Sequence, residues 1–578
     1  MIGTKITIKS LANAINGKII GADNFKSNNG FTGIFNILKD STEGDIVIRH
    51  WIDEKGVEIA NEKKVACIIT EDPRNNSIEL AESINFPLII VDKIEMANAI
   101  ALNWTLKVFA PNSKRVIISG TNGKSTTSHM INHILASTGA NTLTNTDSKS
   151  EFNTLIDPMV PKLISENVLI NRNGISSFNS SHFDYSSFPS SVSESDTKSK
   201  KTLSKYDLDY IVVEASEVQG WLGKLMNEHA YLMTKAVDPD VAVITNVAMD
   251  HIGLVNSIEE VFKETSGVAR AIKKGTLVMN QDDNRVIDMA KFLDENADKF
   301  YFTMNPNEES LSEVDVNEKS LNEKSLNEKS LNEESLNEVN VNEESFNEVD
   351  FNKLNTNLIY NTSKEAIFCN NTKILDIDDL PFKSNHFIQN TLAAISACIS
   401  LNIPMDKIIK GVKSYQSLKR RFKIINENPL IIDDFAHNPE GIKATIEAVS
   451  NLANGISEDT CINIVCAIRG SRGEEINKIN AEALVKTIKS INHEYKNIKT
   501  NLILSSSCDV VDNLNFVEDF EEKIFFETLN KEKIKYIHYK NLYDALLKTY
   551  KLTNKRDIVL LIGAQGMDPA EDLLKKIF

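Results

Sequence analysis

The stretch that most limits how this chain can fold is residues 115–139, RVIISGTNGKSTTSHMINHILASTG. Arg115 to Ser119 is a short apolar, β-branched run with the composition of a buried strand. Gly120-Thr121-Asn122-Gly123-Lys124-Ser125 interrupts it, and a helical pattern follows, with Met130, Ile131, Ile134 and Leu135 on one face and Gly139 as the stop. Strand, glycine loop and helix together make a phosphate cradle. Glycines let backbone N–H groups approach phosphate oxygens, and the helix N-terminus adds partial positive charge. Lys124 would neutralise the β- and γ-phosphates, and the Ser125 hydroxyl would hold Mg2+. The loop is shorter than the usual P-loop, whose first glycine would fall at Ile118.

A length of 578 residues predicts three or four domains at about 150 residues each. The net charge of −17 is unevenly placed: residues 307–350 hold 14 Asp/Glu and 3 Lys. The remainder is only mildly acidic, which argues against a nucleic-acid-binding face. No apolar run approaches about 18 residues and the start lacks a signal-peptide core, so a cytoplasmic protein with no membrane contact is expected. Six scattered cysteines contain no CxxC pair, the usage of free thiols rather than a zinc site.

Residues 1–110 read as a separate α/β module: a strand then a helix over 6–15, strands at 65–70 and 86–91, and a helix at 94–104. Pro111 marks its end. Leu208 to Glu214 is a strand that delivers a carboxylate to the C-terminal edge of a parallel sheet, where ligands bind, so Glu214 is a candidate Mg2+ ligand. Val241 to Asn246 is another such strand, followed by Asp250 and His251, and His251 arrives where a metal would sit. Ser257 and Glu260 form a capping box for a helix through Ile272. Further on, His386 and Asn390 open an alanine-rich helix. Lys419-Arg420-Arg421 precedes a strand ending in Asp433-Asp434-Phe-Ala-His437-Asn438-Pro439, and Pro439 suits the first turn of the next helix. Alternating strands and helices to the C-terminus read as a Rossmann-like domain.

Two stretches read as insertions. Residues 172–204 are serine-rich without apolar periodicity, and 307–352 contain a period-five repeat (SLNEK, SLNEK, SLNEE) whose inward places hold charges, so disorder is expected. Asn554-Lys-Arg-Asp557 spells a guanine-reading motif but precedes its strand. His129 and His133 have zinc spacing without a third ligand.

Taken together, Gly120–Ser125, Glu214, Asn246 to His251, His386/Asn390, Arg421 and DFAHNP at 434–439 resemble the Mur ligase superfamily. The resemblance implies an α/β protein of three domains: an N-terminal UDP-binding-like module (1–110), with its GD…G pattern and Glu58 to Thr70; a central P-loop mononucleotide-binding domain (111–425) carrying both insertions; and a C-terminal Rossmann-like domain (426–578). It implies an ATP-dependent peptide ligase with ATP between the central and C-terminal domains. The γ-phosphate would pass to the carboxylate of a UDP-linked peptide, and a free amino acid would attack the acyl phosphate. Gly120, Thr121, Asn122, Gly123, Lys124, Ser125, Thr126 and Asn246 would hold the nucleotide, with Asn390 facing adenine, Arg421 the phosphates, Asp434 the ribose and His437 close by. Lys124, Glu214 and His251 would be catalytic, with Ser125, Glu214 and His251 as Mg2+ ligands; a monomer is expected.

Departures from the family pattern are Thr265, where a carbamylated lysine stands fourteen residues after the His, and Gly563-Ala-Gln-Gly-Met-Asp568, where G-K-G-H-E is usual. Lys263, two residues from Thr265, should face away, since two helical residues rotate about 200°. D-N-P-R is replaced by Ser505-Ser-Ser-Cys-Asp509. With EASEVQGWL at 214–222, these features look most like archaeal pseudomurein peptide ligases. The alternatives are a folylpolyglutamate- or cyanophycin-type ligase of the same superfamily, a P-loop switch or motor ATPase, and a relic that binds ATP without turnover.

Overall fold

The structure is a computed structural model that describes residues 7–21, 33–146, 154–173, 207–221, 224–249, 254–304, 357–455, 460–513 and 515–577. His251, the repeat tract 307–352 and residues 174–204 of the serine-rich stretch lie outside them. The chain forms two compact units, Met1–Asp376 with Thr391–Lys413, and Ile377–Asn390 with Ser414–Phe578.

Among the described residues the first unit holds two large sheets and two two-stranded ones, Trp51–Ile52 with Asp72–Pro73 and Gly220–Trp221 with Lys224–Leu225. Its N-terminal sheet has the order Lys18–Ile20, Leu88–Ile90, Cys67–Thr70, Ile46–Ile48, Phe35–Asn36, and all but the first strand run parallel. The strand-then-helix reading of 6–15 is reversed here: the helix Ile8–Ala14 comes first and the strand Lys18–Ile20 follows. Thr7 and Ser10 cap one another reciprocally, with Ser10 N donating to Thr7 Oγ1 at 3.0 Å, and that fixes a helix start on β-branched residues. Asp45 of the GD pattern braces its own loop, accepting from Asn36 Nδ2 (3.1 Å) and Thr42 N (3.0 Å).

The helix Ile94–Phe109 is longer than its sequence pattern predicts and joins the two sheets' cores. Ile94, Ala97 and Ala101 pack with Ile46, Ile69 and Ile89, while Leu102, Leu106 and Phe109 pack with Ile117, Val213 and Ile244. A helix with apolar residues on two faces belongs between two layers.

The second sheet of this unit has nine strands, in the order Thr372–Asp376, Ala366–Cys369, Asn357–Asn361, Ala297–Thr303, Gly275–Asn280, Val241–Ile244, Lys114–Ser119, Tyr210–Glu214, Thr142–Thr144. Lys114–Ser119 lies between two parallel neighbours. Glu214 pairs with Ile118 and Ile244 with Ser119, so the three strands end together. Ser257 caps the helix Ile258–Thr265 as expected (Glu260 N to Ser257 Oγ 3.3 Å), but the helix breaks at Ser266 and restarts as Gly267–Ala271. The proline-punctuated stretch after 157 is the helix Met159–Asn173, which also takes up residues 172 and 173.

The second unit is built on a six-stranded sheet, order Lys423–Glu427, Leu430–Asp434, Ile558–Ile562, Cys461–Ala467, Lys499–Ser505, Tyr536–Tyr539, parallel except for the first strand. The strand Lys423–Glu427 spans residues 425 and 426 and pairs wholly within this sheet. Asn554 N and Nδ2 both donate to Asp557 Oδ2 (2.7 and 3.1 Å), so the guanine-like motif is a turn entering the strand Ile558–Ile562.

Candidate active site

In the first unit, the chain leaves the strand Lys114–Ser119 through Gly120, at φ 118°, and enters the helix Lys124–Ser137 through Gly123, at φ 87°. Both values favour glycine. A Cβ on Gly120 would meet Thr245 Oγ1 at 2.4 Å, so the loop lies hard against the end of the neighbouring strand. Asn246 fastens it there: its Oδ1 accepts from Asn122 N (2.9 Å) and its Nδ2 donates to Asn122 O (3.0 Å). Thr245 Oγ1 also donates to Asn122 O (2.7 Å), and Thr121 Oγ1 accepts from Ala248 N (3.0 Å). Asn246 therefore shapes the loop. The amides of Lys124, Ser125 and Thr126 precede the helix's first internal bond, Thr127 N to Gly123 O (2.9 Å), which is the anion-binding end of a helix.

Lys124 Nζ donates to Gly120 O (2.6 Å), Thr121 O (2.9 Å) and Glu217 Oε2 (2.8 Å). Ser125 Oγ donates to Glu214 Oε1 (3.1 Å), and Thr146 Oγ1 donates to Glu214 Oε2 (3.1 Å). Asn145 clasps the Glu214 backbone from both sides, its Oδ1 accepting from Glu214 N (2.7 Å) and its Nδ2 donating to Glu214 O (2.9 Å). Hydroxyl and carboxylate oxygens are the donor set that suits Mg2+, so Ser125 and Glu214 fit the metal as far as the described residues go. Among the described residues no group of three or more His, Cys, Asp or Glu could hold a metal. Thr265 is buried and its hydroxyl donates to Val261 O (2.7 Å), whereas Lys263 is exposed, facing away as the helical spacing requires. Burial pushes the His129 and His133 imidazoles below their ordinary value.

In the second unit, the polar cluster gathers at the end of the strand Leu430–Asp434. Arg420, at φ 63°, is 1% exposed and spans several partners. It donates to Asp433 and to Gly563 O, to Ala564 O at 2.9 Å, to Asp434 O at 3.2 Å and to Asp568 Oδ1 at 3.3 Å. Burial pushes the Asp433 carboxyl up to about 6, against the opposing pull of Arg420. Asp434 accepts from Phe422 N (2.7 Å), Ala436 N (2.9 Å) and Thr445 Oγ1 (3.0 Å), tying the DFAHNP turn together. Asn438 caps the helix Pro439–Asn454 by accepting from Gly441 N (2.8 Å), with Pro439 in the first turn. The Arg421 guanidinium lies 4.6 Å from the Phe435 ring centroid, and the His437 ring 5.0 Å from it. Asn390 is buried in the helix Asn385–Ser400, and burial pushes the nearby His386 imidazole down, opposed by Asp434.

The description "Mur ligase middle domain" fits residues 193–398, and "Mur ligase, glutamate ligase domain" fits 420–565. The chain belongs to the Mur ligase superfamily. Over 218 residues this Mur ligase chain is 25% identical to a UDP-N-acetylmuramate–L-alanine ligase of Clostridium novyi, a match covering 37% of each chain, so it spans little more than a third of that relative's length. In fold it is similar to MurF from Acinetobacter baumannii, at a TM-score of 0.58 and 15% identity over 100% of this chain and 99% of that one. It is also similar to a pseudomurein peptide ligase type C from Methanothermus fervidus, at a TM-score of 0.50 and 17% identity over 93% and 95%.

The sequence reading thus brings Gly120–Ser125, Glu214 and Asn246 to one sheet edge, and Arg421, Asp434 and His437 to one turn. The stretch from Asn145 reads either as a loop over the nucleotide site or as an ordinary connection, and what that reading missed is that Asn145 and Thr146, directly after the strand Thr142–Thr144, hold Glu214. The sequence reading also missed Glu217, the second acid of EASE, and gave no role to Arg420, the buried arginine next to Arg421.

Proposed function

We propose that this Mur ligase superfamily member is an ATP-dependent amide ligase of cell-wall precursor synthesis, adding an amino acid to the carboxylate of a UDP-linked acceptor. The observation that carries the reading is the cradle at residues 120–126 with the Ser125–Glu214 pair beside it. The γ-phosphoryl group passes to a carboxylate oxygen of the acceptor and ADP leaves; the amino acid's amine then attacks the acyl carbon, phosphate departs and the amine gives up a proton. Carboxylate and triphosphate repel, so positioning and positive charge carry the rate. Lys124 and the helix-start amides bind and orient the phosphates. Ser125 and Glu214 would hold Mg2+, which supplies charge neutralisation, and His251 is proposed as a further ligand. Asn390 is assigned to adenine, Arg421 to the phosphates, and Asp434 with His437 to the ribose side.

Beside the N-terminal sheet, Arg49 follows the strand Ile46–Ile48 and Arg74 the strand Asp72–Pro73, which pairs with Trp51–Ile52, and the two arginines lie 4.6 and 4.9 Å from the Trp51 ring centroid. That aromatic and cationic edge suits a uridine diphosphate group. Two acceptors are in contention. The departures at Thr265, 505–509 and 563–568, together with the Methanothermus likeness in fold, favour a UDP-linked peptide of the pseudomurein type. The Clostridium match favours a UDP-sugar carboxylate receiving alanine.

The test is ADP release by the purified protein with Mg2+-ATP, UDP-N-acetylmuramate or UDP-linked glutamyl peptides, and a panel of amino acids, with products weighed by mass spectrometry. A product heavier by one amino acid less water identifies both substrates. Hydrolysis indifferent to every acceptor would overturn the ligase reading in favour of a switch-type ATPase.

A further inference from the structure

Glu217 is fully buried, and the side chain of its partner Lys124 is 12% exposed. An ammonium carries three hydrogens, and Lys124 has committed one to each of Gly120 O, Thr121 O and Glu217 Oε2. To reach a β- or γ-phosphate it must release at least one of them. Two of the three acceptors are neutral carbonyls of its own loop. The third is an anion competing for the same charge as the phosphate.

The competitor is also the less mobile partner. Glu217 lies in the loop after the strand Tyr210–Glu214, and that loop is pinned at both ends. Ser216 Oγ donates to Val218 O (2.7 Å), and Met226 N donates to Gln219 O (2.8 Å). Fully buried His229 accepts from Leu155 N at Nε2 (3.2 Å), which leaves its proton on Nδ1 to donate to Ser216 O (3.0 Å). Lys124 swings on four methylenes, so the exchange falls to the lysine.

From this geometry we infer that Glu217 is a positioning residue that holds Lys124 against its own loop and is displaced by the terminal phosphates of the nucleotide, so that phosphate binding is set by competition between two anions for one lysine. A protein whose binding-competent form is a minor fraction shows an affinity lowered by that fraction. Removing the competing charge therefore tightens nucleotide binding, and only for nucleotides long enough to reach Lys124. A purely structural Glu217 would have the opposite effect, since its loss would loosen the loop and weaken every nucleotide alike.

The inference rests on the nucleotide site proposed above, and calorimetric titration separates the two. The wild-type protein, E217Q and E217D are titrated with ATP, ADP and AMP without divalent metal. In E217Q, ATP and ADP should bind about tenfold more tightly, with AMP within about twofold of wild type. E217D, whose carboxylate sits one methylene further from Lys124, should fall between them and decides the matter if E217Q does not fold. In a Lys124→Met background, E217Q should change nothing. Unchanged or weaker ATP and ADP binding in the Glu217 variants, or an equal gain for AMP, would overturn the inference alone. A wild-type protein that binds none of the three nucleotides would overturn the nucleotide site itself.

Discussion

By the family resemblance Thr265 stands where a metal-side lysine is usual, and its hydroxyl donates to Val261 O at 2.7 Å within its own helix. A hydroxyl bonded back to the residue four positions earlier has no proton left to donate across the site. Thr265→Val should accordingly leave the ligase rate within about threefold and stability within about 1 kcal/mol, checked by steady-state kinetics and melting temperature. Loss of activity with an intact fold would show that the hydroxyl serves the metal. Asp433 presents the opposite case, a buried carboxyl held at about 6 by desolvation although Arg420 pulls it down. Its ordinary value is 3.8, so between about pH 4 and pH 6 the folded chain keeps a proton that the unfolded chain has lost. Stability from this group is therefore present at low pH and falls as pH rises through that window. Comparing urea midpoints of wild type and Asp433→Asn at pH 4.5 and pH 7 should show the wild type losing about 1–3 kcal/mol relative to the variant.

The 22-residue helix Gly473–Glu494 begins without a side-chain cap of its own. Glu521, fully buried and carried on the helix Asp519–Lys531, reaches across instead: its carboxylate accepts from Ser471 N (3.0 Å), Arg472 N (2.8 Å) and Gly473 N (2.7 Å). A carboxylate on three amides at a helix start is a charge-assisted cap. Glu521→Gln puts an amide donor among those N–H groups and should cost about 2–4 kcal/mol, with faster hydrogen exchange near 471–477 and at Glu518, whose N–H also donates to Glu521 (3.0 Å). No local pattern announces such a cap, because it lies 48 residues away from Gly473 in sequence. The helix ends that were legible are local ones: Ser257 before Glu260, Pro439 in the first turn of its helix, Gly139 after the phosphate-loop helix. That Arg420 rather than Arg421 is the buried arginine could not be read from the sequence for a related reason. Arg420 and Phe422 have φ of 63° and 48°, so the backbone there follows neither helical nor strand periodicity, and side-chain direction cannot be counted along it. Glu214 could be read because four apolar residues carry it to a strand end; Glu217 lies three residues past that end, where only the folded loop turns it onto Lys124.

In sequence the acidic repeat tract lies between two strands of the nine-stranded sheet whose pairing limits how much chain can be spared. Ala297–Thr303 and Asn357–Asn361 are parallel neighbours, with Tyr301 opposite Asn357 and Thr303 opposite Ile359. A chain leaving the top of one parallel strand must return to the bottom of the next, and that crossover takes about a dozen residues. Deleting 310–350 leaves residues 304–309 and 351–356 to make the return, which is just sufficient, whereas deleting 305–356 leaves Met304 alone to do it. The shorter deletion also removes 12 acidic residues and 3 lysines, taking the net charge from −17 to −8. It should keep the ligase rate within about twofold and the melting temperature within about 4 °C, while eluting earlier from an anion exchanger. The longer deletion should break the pairing of Asn357–Asn361 and expose the buried strand Ala366–Cys369 beside it, read as aggregation and lost cooperativity in the melt. If both deletions melt like the full-length chain, the pairing of these two strands contributes nothing to the sheet. If both collapse, the repeat itself packs against the fold and is no passive insertion.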